Sequence, residues 1–352
     1  MNKFLLQIPA LLQKQNFGGA NQGLLNGNTG LVIFLYHFSR STQNAETEKM
    51  ANNLLDKIFD SLATTAPTDF ENGLAGIGWG IEYLVQNGFA EGNTDEILEE
   101  VDTKIYKILC EDNLNSFELT NGLTGYLVYL NARLKNGGDI NSMARRINKE
   151  LLIHTINKTD EVVTSQFPSI VKEQHFDLFW RFPAVLFALT EACGLGIYNR
   201  KIEQVKKQWI MYFEAYIPSL HINRLYLALV LHRLNRIFQN QRIEKQIQIL
   251  LFATNVNEIT TEFDSNYTGI RYGWPGAVWV LHQVLKSIPR DYPNYDDVEK
   301  SYNQLKGKIT GLNSNLLQNQ AATTPLQHKG IGSGVTGVAL MDLLWPEIFN
   351  NQ

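Results

Sequence analysis

Two kinds of helical stretch alternate along this chain. Runs such as LVIFLYHF (31–38), YLVYL (126–130), AVWVLHQVL (277–285) and VALMDLL (338–344) are apolar nearly all round. FPAVLFALTEA (182–192) and RLYLALVLHRL (224–234) have the same character. Between them lie stretches with one apolar stripe. Residues 46–63 align Met50, Leu54, Leu55, Ile58, Phe59 and Leu62, and residues 95–110 align Ile97, Leu98, Val101, Ile105, Ile108 and Leu109. Similar stretches fall at 142–157, 200–217, 241–254 and 296–312, with 3–14 at the start. An all-apolar helix must be buried on every side, whereas a striped one covers something. Alternating the two predicts an all-α fold: an α/α toroid of about seven inner and seven outer helices, occupying 1–352 as one domain.

A Gly-x-x-Gly step opens five of the apolar runs, at Gly27–Gly30, Gly73–Gly76, Gly122–Gly125, Gly273–Gly276 and Gly334–Gly337. From first to last the spacing is 334 − 27 = 307 residues, or six intervals of about 51 once the two runs lacking glycines are counted. A period of this size marks a repeat architecture. Neither end is polar enough to cap an open solenoid, so closure into a ring is expected. Gly suits convergence on an axis, through close approach and through turns of positive φ. Asn26, Asn72 and Asn121 stand before the steps and read as helix caps or turn residues.

Composition narrows the function. Of 352 residues 44% are hydrophobic and 19% charged, enough for a large core. Net charge is −4 and no Lys/Arg block occurs, so no nucleic-acid partner is expected. The start, MNKFLLQIPALLQKQ, is interrupted by Gln7 and Pro9 and lacks a cleavage site, and no apolar run has membrane-spanning length. A soluble cytoplasmic protein is the expectation. Cys110 and Cys193 are far apart, form no CxxC, and read as buried small apolar residues in a reducing compartment.

Asn72-Gly-Leu-Ala-Gly-Ile-Gly-Trp-Gly80, Tyr272-Gly-Trp-Pro-Gly276 and Ser333-Gly-Val-Thr-Gly337 resemble repeats of the lanthionine synthetase C-like (LanC-like) family. The resemblance runs over essentially the whole chain and implies an α/α toroid. It also implies a central zinc that activates a peptide thiol for addition to a dehydrated Ser or Thr. In that pattern the zinc ligands are a Cys, which falls on Arg271, and a Cys-His pair, which falls on Gly332 and Ser333. None is a metal ligand of the family type, and Arg271 places a permanent cation at the metal's position. No cofactor is therefore expected.

Residues just before the inner helices are expected to line a central pocket, where helix N-termini favour anions and peptide carbonyls. The candidates are Glu71, Asp177, Trp180, Arg181, Arg271, Tyr272, Trp274, His328 and Ser333. Arg271 reads either as a clamp for a carboxylate or peptide, or as the partner of Asp264, Glu71 or Asp177 in an ion pair plugging the ring. Tyr272 and Trp274 are ligand platforms or packing residues. His328 is a replacement base or an exposed loop residue. The leading expectation is a zinc-free LanC-like protein that binds a peptide or small molecule, as an accessory working with peptide-modifying enzymes. A glycoside hydrolase using Glu71 with Asp177 or Asp264 is the alternative, as is a divergent thiol-addition enzyme.

Overall fold

The computed structural model describes residues 8–9, 21–62, 67–111, 113–135, 141–170, 175–213, 216–263, 269–320 and 330–349. Seven inner helices are found among them: α1 (Asn28–Thr42), α3 (Leu74–Gln86), α6 (Leu123–Lys135), α8 (Arg181–Gly194), α10 (His221–Phe238), α12 (Trp274–Ser287) and α14 (Val335–Leu344). Six outer elements interleave with them: α2 (Ala45–Ser61), α4 (Thr94–Ile97) with α5 (Glu99–Cys110), α7 (Met143–Ile170), α9 (Asn199–Phe213), α11 (Gln241–Phe252) and α13 (Tyr295–Gln320). A short α15 (Pro346–Phe349) follows α14. Ile8 and Pro9 are helical, and the rest of the 3–14 stretch lies outside the described residues. No helix among the described residues is long and apolar enough to cross a membrane.

The apolar pattern explains the layering. In α1 every residue from Asn28 to Tyr36 is buried, whereas α5 buries only Val101, Asp102, Ile105 and Leu109. From α1 to α12 each inner helix packs on the next, and α14 packs on α1. The fold is an α/α toroid.

Three details depart from the sequence reading and a fourth narrows it. Residues 95–110 form two helices rather than one, because Leu98 leaves helical geometry and is fully buried at the corner. Helices α7 and α13 run further than expected, α7 because Val162 and Val163 continue its buried stripe. Cys110 is exposed, since it sits one residue past Leu109 and off the buried stripe, while Cys193 is buried. Finally, of the two roles open to the asparagines before the steps, Asn26 and Asn72 take the turn rather than the cap. Gly27, Gly73, Gly273 and Gly334 occupy the N-cap positions with extended backbone.

None of the step glycines has positive φ; close approach alone demands them. A Cβ on Gly76 would lie 2.0 Å from the Phe70 carbonyl oxygen, and one on Gly337 would lie 2.0 Å from that of Ile331. Gly30, Gly125 and Gly276 meet the carbonyl six residues back in the same way. The entering segment doubles back against the first helical turn. Its carbonyls then take up first-turn N–H groups that have no intrahelical partner: Asn28 N–H donates to Asn21 O, Leu74 to Pro67 O and Leu123 to Ser116 O, at 2.8–2.9 Å.

Candidate functional site at the mouth of the ring

The loops entering the inner helices are joined to one another by main-chain hydrogen bonds. Phe70 and Glu71 N–H donate to Thr120 O at 3.0 Å, and Leu25 N–H donates to Glu71 O at 3.0 Å. Gly332 N–H donates to Leu25 O at 2.8 Å, Arg271 N–H to Gly332 O at 3.0 Å, and Leu178 N–H to Arg271 O at 2.8 Å. Thr120, Glu71, Leu25, Gly332, Arg271 and Leu178 each stand three residues before their helix begins. The equivalent residue before α10 is Pro218, which has no N–H to contribute, and that loop stays outside the circuit. Helix α10 instead reaches it through the Tyr226 hydroxyl, which donates to Leu178 O at 2.8 Å. An ion pair between Arg181 and Glu118 at 2.6 Å spans the remaining interval, from α8 to α6.

Two of these equivalent positions carry charge, and they meet. Arg271 donates from Nε to both oxygens of Asp177 (3.1 and 3.2 Å) and from Nη2 to Asp177 Oδ2 at 3.0 Å. Its Nη1 donates to Glu71 Oε1 at 3.3 Å, an oxygen that also accepts from Asn26 Nδ2 at 2.8 Å. Asp177 is itself fixed, its Oδ1 accepting from Phe179 N–H at 2.8 Å. The guanidinium lies 4.6 Å from the Tyr272 ring centroid and 5.2 Å from that of Phe179, within cation–π range. Burial disfavours the charge on Arg271, but the hydrogen bonds and charge of Asp177, with Tyr272 and Glu71, push its pKa up on balance. The Tyr272 hydroxyl is pushed up to about 12, first by burial and then by Asp177.

The nine expected residues thus take different places. Arg271, Tyr272, Glu71 and Asp177 form one cluster, and Arg181 with Glu118 lies beside it in the circuit. Ser333 follows Gly332 and is half-buried. Trp180 and Trp274 are 1% and 7% exposed. They pack on Tyr216 and Phe263 respectively, rather than opening onto the mouth. His328 and Asp264 lie outside the described residues. Phe179, which covers the guanidinium, was not anticipated; it sits in one of the two entry segments that lack a glycine step, so no motif flagged it.

The positions equivalent to the family's zinc ligands do come together, since Arg271 bonds directly to Gly332. Their chemistry does not fit a metal. A guanidinium has no lone pair to give, glycine has no side chain, and a serine hydroxyl is a poor zinc ligand. Among the described residues no group of three His, Cys, Asp or Glu side chains could hold a metal ion.

An α/α toroid whose mouth is built from helix-entry loops defines the class of this protein. Residues 20–176 match the family model of the lanthionine synthetase C-like protein. The chain is superimposable on nisin cyclase with a TM-score of 0.65 at 14% identity, over 99% of this chain and 94% of the cyclase. No curated protein matches by sequence. The chain thus shares the fold of that cyclase over its whole length and resembles the LanC-like family in sequence over residues 20–176. At 14% identity the likeness to the cyclase carries the fold and not the activity.

Proposed function

We propose that the chain is a zinc-free LanC-like protein that acts as one toroid domain and binds a peptide at the mouth of its ring, as an accessory to the maturation of a modified peptide. The reading rests on one observation, the state of Arg271. Five guanidinium N–H groups are available, and three are spent on Asp177 and Glu71, which among the described residues leaves two for a ligand. Glu71 uses Oε1 for both its bonds and has Oε2 to offer among the described residues. Donors beside an acceptor, with a Tyr272 ring alongside, match the alternating N–H and C=O of an extended peptide. The donor set at 271, 332 and 333 supports binding without zinc-dependent thiol addition. The hydrolase alternative gains no such support, because Glu71 and Asp177 both face one guanidinium, which accepts no proton.

Two measurements test this on the purified full chain. Metal analysis is expected to find zinc well below one per chain, and a stoichiometric content would overturn the zinc-free reading. Fluorescence anisotropy with labelled peptides encoded beside the gene is expected to show saturable binding, weakened at least tenfold by Arg271→Gln with little change in melting temperature. Absence of binding to any such peptide, or equal binding by the variant, would overturn the peptide-binding role.

A further inference from the structure

A groove lies on the outer wall of the ring, between the outer helices α5 and α7. Its volume is about 520 Å³, within the range of small-molecule sites. An outer helix has one apolar stripe and normally spends it on its neighbours. Here part of the stripe stays uncovered. Met143, Ile147 and Leu151, at helical spacing on α7, line the groove together with Tyr106 and Cys110 of α5. Leu151 is buried, but Met143, Tyr106 and Ile147 are 67%, 48% and 40% exposed. These are three of the nine large apolar side chains exposed among the described residues, so uncovered apolar surface is gathered here rather than scattered singly.

The charged groups decide what belongs there. Arg146 and Lys149 line the groove against a single carboxylate, Glu150, and none of the three forms an ion pair among the described residues. His154 also lines it, but its Nε2 is spent in donating to Leu109 O at 3.1 Å. An anion therefore meets two cations that need not leave a partner, beside an apolar wall that strengthens the attraction. A purely apolar molecule would leave those cations unused, and a cation would be repelled. Nine residues line the groove, whereas a stable protein interface takes about 20–30 from each side, which favours a small ligand over a protein. We infer that this groove binds a small amphipathic anion, an acyl chain ending in a carboxylate. Its chain lies along Met143, Ile147 and Tyr106, and its head group meets Arg146 and Lys149.

Cys110 reports occupancy, because it lines the groove and is exposed while Cys193 is buried. The test follows its alkylation by iodoacetamide, a neutral reagent, in the full chain by mass spectrometry. Dodecanoate below its micelle concentration is expected to slow the reaction saturably. Dodecanol and dodecyltrimethylammonium are expected to protect with about threefold weaker affinity or less, the factor an exposed charge contact contributes. Replacing both cations, Arg146→Ala with Lys149→Ala, is expected to abolish that preference. Ile147→Ser, at a half-exposed position, is expected to weaken protection by dodecanoate several-fold. Arg271→Gln is expected to change nothing, which separates this groove from the mouth. Equal protection by the three amphiphiles, or protection that fails to saturate or is indifferent to Ile147→Ser, would overturn the inference. So would protection by phosphatidylglycerol vesicles without protection by dodecanoate, which would assign the groove to a membrane surface.

Discussion

Arg133→Met tests how the toroid tolerates charge in its wall. The Arg133 side chain is 0% exposed, as is that of its partner Glu82 on α3. From α6 it also reaches Asp102 on α5 (2.8 Å), Asp95 on α4 (3.0 Å) and the Thr94 hydroxyl (3.2 Å). Asp102 accepts further bonds from Tyr129 Oη at 2.5 Å and from Asn148 Nδ2 on α7 at 3.2 Å. One guanidinium therefore ties four helices together, with α7 joined through Asp102, and serves three carboxylates. Methionine preserves the stem but leaves those carboxylates without a cation, and breaking a buried pair in this way costs about 3–5 kcal/mol. With an unfolding entropy of about 2.1 cal/mol/K per residue, the 352 residues give about 0.74 kcal/mol per degree. The melting temperature should then fall by about 4–7 °C. The loss should also depend on pH. Burial already raises the Glu82 pKa while Arg133 pulls it down, so the variant raises it further. A carboxyl whose folded pKa is raised favours the folded state below its unfolded pKa and loses that contribution as pH climbs through the folded one. Differential scanning calorimetry at pH 5 and pH 8 should find the variant's deficit larger at pH 8. Adding Glu82→Gln should recover about 1 kcal/mol or more at the higher pH. A deficit under about 1 kcal/mol, or one that grows in acid, would refute the reasoning.

Two further tests concern single residues. Gly76→Ala should destabilise by several kcal/mol, because a Cβ at 2.0 Å from a backbone oxygen forces the entry loop away, whereas Gly307→Ala in α13 meets nothing within 4 Å and should stabilise by about 0.5–1 kcal/mol; chemical denaturation of both variants checks this. His37 pairs through Nε2 with the Tyr83 hydroxyl at 2.8 Å, and burial, then Arg40, lowers its pKa to about 4. Its depressed pKa gives stability that is present above pH ~6.5 and lost as pH falls toward 4, so its ring proton signals should stay unshifted from pH 8 to pH 5.5 in an NMR titration.

The ring was legible because its two layers impose different demands on sequence. All-round burial and one-sided burial leave distinct periodicities, and the recurrent glycines mark where loops turn back on helix starts. Their cause was misread in part, since a close backbone contact and a positive φ both select glycine and only coordinates separate them. The cluster at the mouth was harder to read. Arg271 had three carboxylates to choose from, and its actual partners lie 94 and 200 residues away along the chain. Which of them it meets depends on the order of loops around the closed ring, and no local pattern encodes that. The Arg133 network left a weaker trace: Glu82 and Arg133 are charges inside helices that are otherwise largely apolar. Such a residue has to find a partner across a helix boundary, and that signal went unused.

The circuit of loops suggests why this scaffold accepts so much change at its centre. Six entry loops hold one another through main-chain bonds at a single equivalent position, so closing the mouth asks nothing of the side chain there. Threonine, glutamate, leucine, glycine and arginine all occupy that position in this one chain. Only proline is incompatible with the bond, and the loop that carries it drops out while its helix stays anchored through Tyr226. The main-chain circuit therefore asks nothing of the side chain at 271, whose present partners are Asp177 and Glu71. On this argument a metal ligand could give way to a guanidinium without loss of the ring, provided carboxylates at equivalent or neighbouring positions balanced the new charge. Glu71 and Asp177 stand where that balance requires them.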